Sequence, residues 1–195
     1  MDIKPLTTKD IQQAALLHFK ELPDITTTLG LPYVTRMYQL FVTDLVTHFC
    51  LGAWEKDELI GIIIVSTDMN KTHKIFHKLF SFATAVNLFL KIITFTISPM
   101  RILNRFLFEK KLEKITTENY CCLGPICVND AYQGRGIGKL LLKKAIEHIR
   151  KKRITMLYVY TRFDNKNAIA FYKKCGFIVA DSFYEGTLLT YSIKK

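Results

Sequence analysis

Residues 133–138 read Gln-Gly-Arg-Gly-Ile-Gly, and they lie between an apolar stretch at 123–128 and a long amphipathic run at 139–153. The three glycines leave one edge of this turn without Cβ atoms, so consecutive backbone N–H groups can converge on an anion at the positive end of the following helix. The spacing is neither the dinucleotide-binding fingerprint nor a P-loop, because the Lys-Ser/Thr pair is missing. Glycine turns also open helices for packing reasons, so this segment alone leaves both interpretations open.

A second informative segment lies one helix and one strand further along the chain. Residues 165–177 read Asn-Lys-Asn-Ala-Ile-Ala-Phe-Tyr-Lys-Lys-Cys-Gly-Phe. This pattern predicts an amphipathic helix with Asn165 at its start, a position where asparagine often acts as a cap. Together with the glycine turn, the segment points to one phosphorylated cofactor.

Composition limits the class of protein. A chain of 195 residues is expected to form a single domain, 1–195, and its net charge of +11 favours anionic partners. The five cysteines fit no metal-ligand spacing and are odd in number, which predicts reduced thiols, a cytoplasmic location and no bound metal. The first ten residues lack the apolar core of a signal peptide.

The hydrophobic periodicity alternates between helices and strands. Residues 59–66 form a nearly continuous apolar run, which predicts a strand buried on both faces. Gly124-Pro125 interrupts another strand and predicts a bulge or a splay there, because proline cannot donate to a strand ladder. The predicted helices are 10–22, 32–47, 138–152 and 165–174, and the predicted strands are 50–54, 59–66, 120–128, 155–160, 177–183 and 187–193.

The strand, the Gln-Gly-Arg-Gly-Ile-Gly turn and the following helix, with Asn-x-x-Ala-x-x-Phe-Tyr-x-x-x-Gly-Phe downstream, resemble the acetyl-CoA site of the GNAT (GCN5-related) N-acetyltransferase superfamily. The resemblance covers 120–177, and the preceding helix-helix-hairpin order fits the same topology. It implies an α/β (α+β) fold with a mixed central sheet flanked by helices and a helical insertion between strands 3 and 4. It also implies an acyltransferase that moves an acetyl group from acetyl-CoA to a primary amine by direct attack.

The resemblance further implies which residues bind the cofactor. The glycine turn would hold the pyrophosphate, a strand edge would pair with the peptide-like pantetheine arm, and a backbone N–H of that edge, on Ile126 or its neighbour, would stabilise the oxyanion. Asn165 would bind the pantetheine amides, either instead of capping its helix or in addition. The complete set comprises Ile126, Cys127, Val128, Gln133, Gly134, Arg135, Gly136, Ile137, Gly138, Lys139, Asn165, Ala168, Phe171 and Tyr172.

Tyr172 is the candidate for chemistry, since its family counterpart protonates the departing thiolate. The alternative is a half-buried core tyrosine.

The residue that acts as general base is less clearly indicated, because 120–123 carries no carboxylate where many GNAT enzymes place a glutamate. Glu21, His18, Asp24 and water relayed through Tyr120 remain as candidates, although a lone histidine on an apolar helix face more often serves packing. Cys122 is a further candidate, as a nucleophile, but the sequence indicates no histidine that would pair with it.

Residues 69–118 are long for a connection between strands and read as helices rich in apolar and basic residues. The apolar stretch falls short of the ~20 residues that a membrane-spanning helix requires. Three interpretations stay open: a lid over the acceptor pocket, an amphipathic hairpin resting on anionic lipid, and helices that extend the core.

A narrower resemblance concerns the acceptor. The segments 18–24, 29–30 and 33–41 and the apolar, basic insertion are similar to GNAT proteins associated with bacterial surface-polysaccharide assembly. This implies an amino-sugar acceptor, with the protein in the cytoplasm or peripheral at the inner membrane face. The alternatives are a protein N-terminus, a lysine or a small amine, and a CoA-binding module without catalysis. Nucleic acid is not expected as a partner, and the oligomeric state stays open.

Overall fold

Seven strands and seven helices are assigned in the part of the chain that this computed structural model describes, namely residues 1–79, 81–94, 98–100, 103–104, 107, 119–183 and 186–193. The strands are β1 (Asp2–Pro5), β2 (His48–Glu55), β3 (Glu58–Ser66), β4 (Tyr120–Val128), β5 (Met156–Arg162), β6 (Ile178–Phe183) and β7 (Gly186–Ser192). The helices are α1 (Ile11–Glu21), α2 (Ile25–Thr28), α3 (Leu31–Thr43), α4 (Met69–Leu79), α5 (Phe82–Ile93), α6 (Ile137–Arg150) and α7 (Lys166–Lys174).

The strands form one mixed sheet in the order β1-β2-β3-β4-β5-β7-β6. Neighbouring strands are antiparallel except β4 and β5, which are parallel and are joined through α6. A parallel pair requires a crossover connection of this kind. The crossover carries the glycine turn at its start, so the turn lies at the carboxyl end of β4.

Each face of the sheet has its own core. On one face, α6 contributes Leu141, Leu142 and Ile149, which pack with Leu157 and Leu189 of the sheet. On the other face, α1, α3 and α4 cover Ile62, Ile64 and Cys127, with Ala14, Val34, Met37, Tyr38 and Leu79 among the buried residues. The sheet therefore separates a layer that holds the glycine turn from a layer that holds the candidate base residues.

The sequence predicted most of these elements. β3 is buried along eight of its nine residues, which confirms a strand covered on both faces. The helix predicted at 32–47 ends four residues early, because the Asp44 side chain accepts a hydrogen bond from the Thr47 N–H at 3.2 Å and holds a turn there. The strand β1 and the short helix α2 were not predicted.

The insertion is helical where it is described, as expected. Thr72, Ile75 and Leu79 recur on the buried side of α4, and His48 Nε2 lies 3.2 Å from the Thr72 hydroxyl. The predicted basic piece at 101–111 lies almost entirely outside the described residues. None of the helices in the described ranges combines the length and the apolar character needed to cross a bilayer.

Candidate active site

The strands β4 and β5 separate halfway along their length. They pair from Tyr120 opposite Met156 to Leu123 opposite Val159, and no pairing continues beyond that point in the described residues. On the other side of β4, Gly124 and Pro125 together face Ile64, which makes a bulge between the pairs Ile63–Ile126 and Val65–Leu123. The predicted interruption at Gly124-Pro125 is therefore confirmed as a bulge, and a gap between the strands begins beside it.

The second half of β4 presents backbone groups to this gap. Asn129 donates its N–H to the Ile60 carbonyl at 2.9 Å, toward β3. Because strand amides alternate in direction, the N–H groups of Ile126 and Val128 point the other way, toward the gap. The Gln133 side-chain amide donates to the Val128 carbonyl at 3.0 Å and closes the end of this edge.

The glycine turn leads directly into α6. Gly134 and Gly136 have φ values of +77° and +79°, a left-handed conformation that costs glycine nothing. The N–H groups from Gly134 to Lys139 donate to no acceptor within the described residues. The first hydrogen bond of the helix runs from the Leu140 N–H to the Gly136 carbonyl at 3.0 Å. The turn therefore offers a run of unused donors at the positive end of a helix, where an anion binds favourably.

Arg135 is turned back onto the short 3₁₀ turn that precedes the glycines. Its guanidinium donates to the Ala131 carbonyl at 3.1 Å and lies 4.9 Å from the centroid of the Tyr132 ring. These contacts fix the shape of the turn while the backbone donors stay exposed.

The helix α7 lies beside the start of α6. A methyl group built on Gly138 would lie 3.5 Å from Cε2 and Cζ of Phe171, so the absence of a side chain at Gly138 leaves the Phe171 ring close to the glycine turn. Asn165 is exposed and caps α7, because its side chain accepts the Ala168 N–H at 3.1 Å. The capping role is therefore observed, and the contact with pantetheine stays a prediction.

Tyr172 is 5% exposed, with its ring centroid 5.2 Å from that of Phe171 and 5.4 Å from that of Phe177. These surroundings fit a tyrosine that packs in the core, and they are also compatible with a phenol that donates a proton. Burial, reinforced by the nearby Cys175 thiol, raises the pKa of Tyr172 well above its usual value. The phenol therefore keeps its proton throughout the physiological pH range.

His18 is fully buried in α1, and both ring nitrogens have neighbours. Nδ1 lies 3.0 Å from the Tyr38 hydroxyl, and Nε2 lies 3.4 Å from Asp24 Oδ2 and 3.3 Å from the Thr26 hydroxyl. Asp24 also caps α2 by accepting the N–H groups of Thr26 and Thr27. Burial alone would raise the pKa of Asp24, but the His18 ring and these donors hold it below its usual value. The network ties α1, α2 and α3 together and leaves His18 no open side.

Glu21, at the end of α1, has a different environment. Its side chain is 7% exposed, and Oε1 lies 3.3 Å from Lys20 Nζ yet accepts no hydrogen bond from the described residues. Burial raises the pKa of Cys127 on β4, and the charges of Glu21 and Asp24 add to the rise, so both carboxylates lie on the side of the sheet that the Cys127 side chain faces. Lys20 Nζ also lies 3.2 Å from Asp130 Oδ1, just before the glycine turn.

The fold thus brings together most of the residues predicted from the sequence. Sequence reasoning did not identify Tyr38 as the partner of His18, nor the ion pair of Lys20 with Asp130, because both join residues far apart in the chain. The pattern Asp24-x-Thr26-Thr27 could have indicated the helix cap at α2. Among the described residues, no cluster of three or more His, Cys, Asp or Glu side chains could hold a metal ion.

Comparison with known sequences gives a consistent family. Residues 93–177 match the sequence profile of the Acetyltransferase (GNAT) family. The chain is 42% identical over 52 residues to an uncharacterized N-acetyltransferase of Methanocaldococcus jannaschii, which is 27% of this chain and 23% of that protein. It is 38% identical over 55 residues to a mycothiol acetyltransferase of Corynebacterium glutamicum, which is 28% of this chain and 19% of that protein. The matched segments thus span about a fifth of the length of these relatives.

Solved structures share the fold along the whole chain. The PaiA N-acetyltransferase of Thermoplasma acidophilum in complex with coenzyme A superposes with a TM-score of 0.63, at 16% identity, over 98% of this chain and 99% of that chain. The ribosomal-protein-S18-alanine N-acetyltransferase of Escherichia coli gives a TM-score of 0.61 at 14% identity, over 100% and 94% of the two chains.

The backbone of the turn predicts opposite effects for two glycine substitutions. Gly136→Ala places a Cβ on a left-handed residue and is expected to cost about 1–2 kcal/mol of unfolding free energy, although a Cβ there would meet no atom within 4 Å. Gly138→Ala is the matched control, since it lies in the first turn of α6 and its Cβ makes ordinary contacts. Gly138→Ala should be neutral or stabilising by up to about 1 kcal/mol. Thermal unfolding of both variants measures the difference, and equal melting temperatures would contradict the strain argument.

Proposed function

We propose that this chain transfers an acetyl group from acetyl-CoA to a primary amine, by direct attack of the amine on the thioester, because residues 93–177 match the profile of the Acetyltransferase (GNAT) family. The observation that carries the proposal is that two neighbouring segments have backbone N–H groups without acceptors in the described residues. One is the glycine turn, whose N–H groups have no acceptor within the described residues, and the other is the open edge of β4 at Ile126 and Val128. These surfaces match the two ends of one cofactor.

In this proposal the diphosphate of acetyl-CoA lies on the N–H groups of 134–139 and the first turn of α6. The pantetheine arm enters the gap between β4 and β5 and pairs with the β4 edge as an additional strand would. Asn165, Ala168 and Phe171 flank it from α7. The N–H of Ile126 or of a neighbour in the same edge faces the thioester oxygen and stabilises the developing oxyanion.

Tyr172 then donates a proton or a hydrogen bond to the departing thiolate. Its raised pKa, caused first by burial, supports the role because the phenol stays protonated. Thiols titrate near pH 8.5 and phenols near 10, so the thiolate is already a tolerable leaving group and requires only modest assistance.

Glu21 is the proposed general base. An amine with a pKa near 10.4 is mostly protonated at neutral pH and must lose a proton before it attacks. Glu21 supplies a nearly buried carboxylate that is paired at 3.3 Å with the exposed ammonium of Lys20, on the side of the sheet that Cys127 of β4 faces. Asp24 is committed to the cap of α2, and His18 is enclosed by Tyr38, Asp24 and Thr26, so we give these two residues positioning roles.

For the acceptor we propose an amino sugar, with the protein in the cytoplasm or at the inner membrane face. The net charge of +11 supports an acceptor linked to a nucleotide or a lipid phosphate, because a basic surface attracts such anions. A peptide amine and a small free amine are the alternatives.

The proposed activity can be tested by thiol release. Purified protein with acetyl-CoA should release free CoA in proportion to an amine acceptor chosen from amino sugars, their nucleotide-linked forms, peptides and small amines. Calorimetry with CoA supplies the independent binding measurement. Tight binding without release by any acceptor would instead favour a CoA-binding module without catalysis.

Tyr172→Phe should lower kcat by about 10²-fold, in line with typical acid–base contributions. The substitution removes only the hydroxyl and leaves the ring packing on Phe171 and Phe177. Affinity for CoA should stay unchanged in the same calorimetric measurement. An unchanged turnover number would show that Tyr172 only packs in the core and does not assist the departing thiolate.

Glu21→Gln should lower turnover at neutral pH by about 10²–10⁴-fold, because the acceptor ammonium loses its proton acceptor. The defect should shrink as the pH rises toward the pKa of the amine, where the free base is already present. Glu147→Gln on α6 is the matched control, since Glu147 is 42% exposed and pairs with Lys144 on the same helix. A pH-independent defect would show that Glu21 acts on folding and not on proton transfer.

A further inference from the structure

The helix α5 presents a continuous apolar stripe to solvent. Val86 is 41% exposed, Phe89 62%, Leu90 54% and Ile93 56%. These positions follow the spacing i, i+3, i+4 and i+7, which places them on one side of a helix. Met100 and Leu103, further along the insertion, are also large, apolar and exposed. Contiguous apolar surface of this kind marks a binding surface and not the chance exposure of single side chains.

The segment that contains α4 and α5 carries basic but no acidic residues. Residues 69–93 contain four lysines and no aspartate or glutamate. With 17 acidic residues in 195, a stretch of this length would hold about two by chance. On α4, Lys71, Lys74 and Lys78 are exposed and share one side, about 100° around the helix from the buried side that contains Thr72, Ile75 and Leu79.

We propose that α4 and α5 form a docking surface for an anionic phospholipid bilayer. Val86, Phe89, Leu90 and Ile93 enter the boundary between headgroups and acyl chains, and the lysines of α4 lie among the anionic headgroups. An apolar stripe accompanied by basic residues is the combination that interfacial helices use. A second copy of this chain fits less well, because two such surfaces would bring like charges together.

The docking surface is connected to the acceptor side of the proposed site. Asn87, on α5, donates its side-chain amide to the Leu29 carbonyl at 3.3 Å. Leu29 ends the short helix α2, which Asp24 caps, and Glu21 lies just before it. Membrane contact through α5 would therefore hold this side of the molecule near the lipid headgroups, whether or not acetyl transfer takes place.

Co-sedimentation of the full chain with vesicles tests the proposal. Vesicles of phosphatidylglycerol and phosphatidylcholine in equal parts should bind the protein at low salt, and high salt should release it because screening weakens headgroup attraction. Pure phosphatidylcholine vesicles should bind far less. Replacing Lys71, Lys74 and Lys78 with glutamine should weaken binding to the anionic vesicles by about 100-fold.

Two double variants separate the apolar stripe from general surface hydrophobicity. Phe89→Asp with Leu90→Asp should reduce vesicle binding by at least about tenfold. The matched control is Leu45→Asp with Val46→Asp, since these side chains are 67% and 76% exposed in the turn after α3. The control should bind as the wild type does, and both variants should retain CoA affinity and melting temperature.

Absence of binding to the anionic vesicles at low salt would overturn the proposal. So would binding that the stripe variant leaves intact. A stripe variant that instead turns a dimer into a monomer in solution, with vesicle binding unchanged, would assign the surface to a second copy. Because CoA affinity is measured separately, each of these outcomes is distinguishable from a failure of the proposed acetyl transfer.

Discussion

The parting of β4 and β5 is the constraint on which the candidate site depends. Two parallel strands in register would satisfy each other's backbone groups, and no ligand could pair with them. The bulge at Gly124-Pro125 and the end of pairing at Leu123–Val159 leave the rest of β4 with an unpaired edge. The glycine turn follows within a few residues of that edge, so two sets of backbone donors without acceptors in the described residues follow one another along the chain.

Side-chain contacts surround these backbone donors. The Gln133 side chain donates a hydrogen bond to the Val128 carbonyl, Arg135 stacks on Tyr132, and Phe171 lies next to Gly138. None of these contacts uses an N–H group of residues 134–139 as its partner. The exposed ion pair of Lys20 with Asp130 joins the end of α1 to the turn before the glycines, so the candidate base and the glycine turn lie close to one another.

Local chemistry decided which parts of the fold could be predicted from the sequence. The bulge followed from a proline inside a strand pattern, the turn from its glycines, and the cap of α7 from Asn165. The predicted end of α3 was wrong because Asp44 captures the Thr47 N–H, a contact that helical periodicity does not reveal. The strand β1 has only four residues and depends on its pairing with β2. The sequence could not decide between His18 and Glu21 as base, because the contacts of His18 with Tyr38 and of Glu21 with Lys20 are seen only in the folded chain.

The division of the core by the sheet has a consequence for how this protein could be redesigned. The helices α6 and α7 pack on one face, while α1, α3 and α4 pack on the other. Substitutions that share no neighbours usually have additive effects on stability. Under the proposed function, mutations in the α1 and α3 layer could therefore be accumulated to alter the choice of amine separately from mutations beside the glycine turn, and libraries directed at the two layers could be selected independently and then recombined.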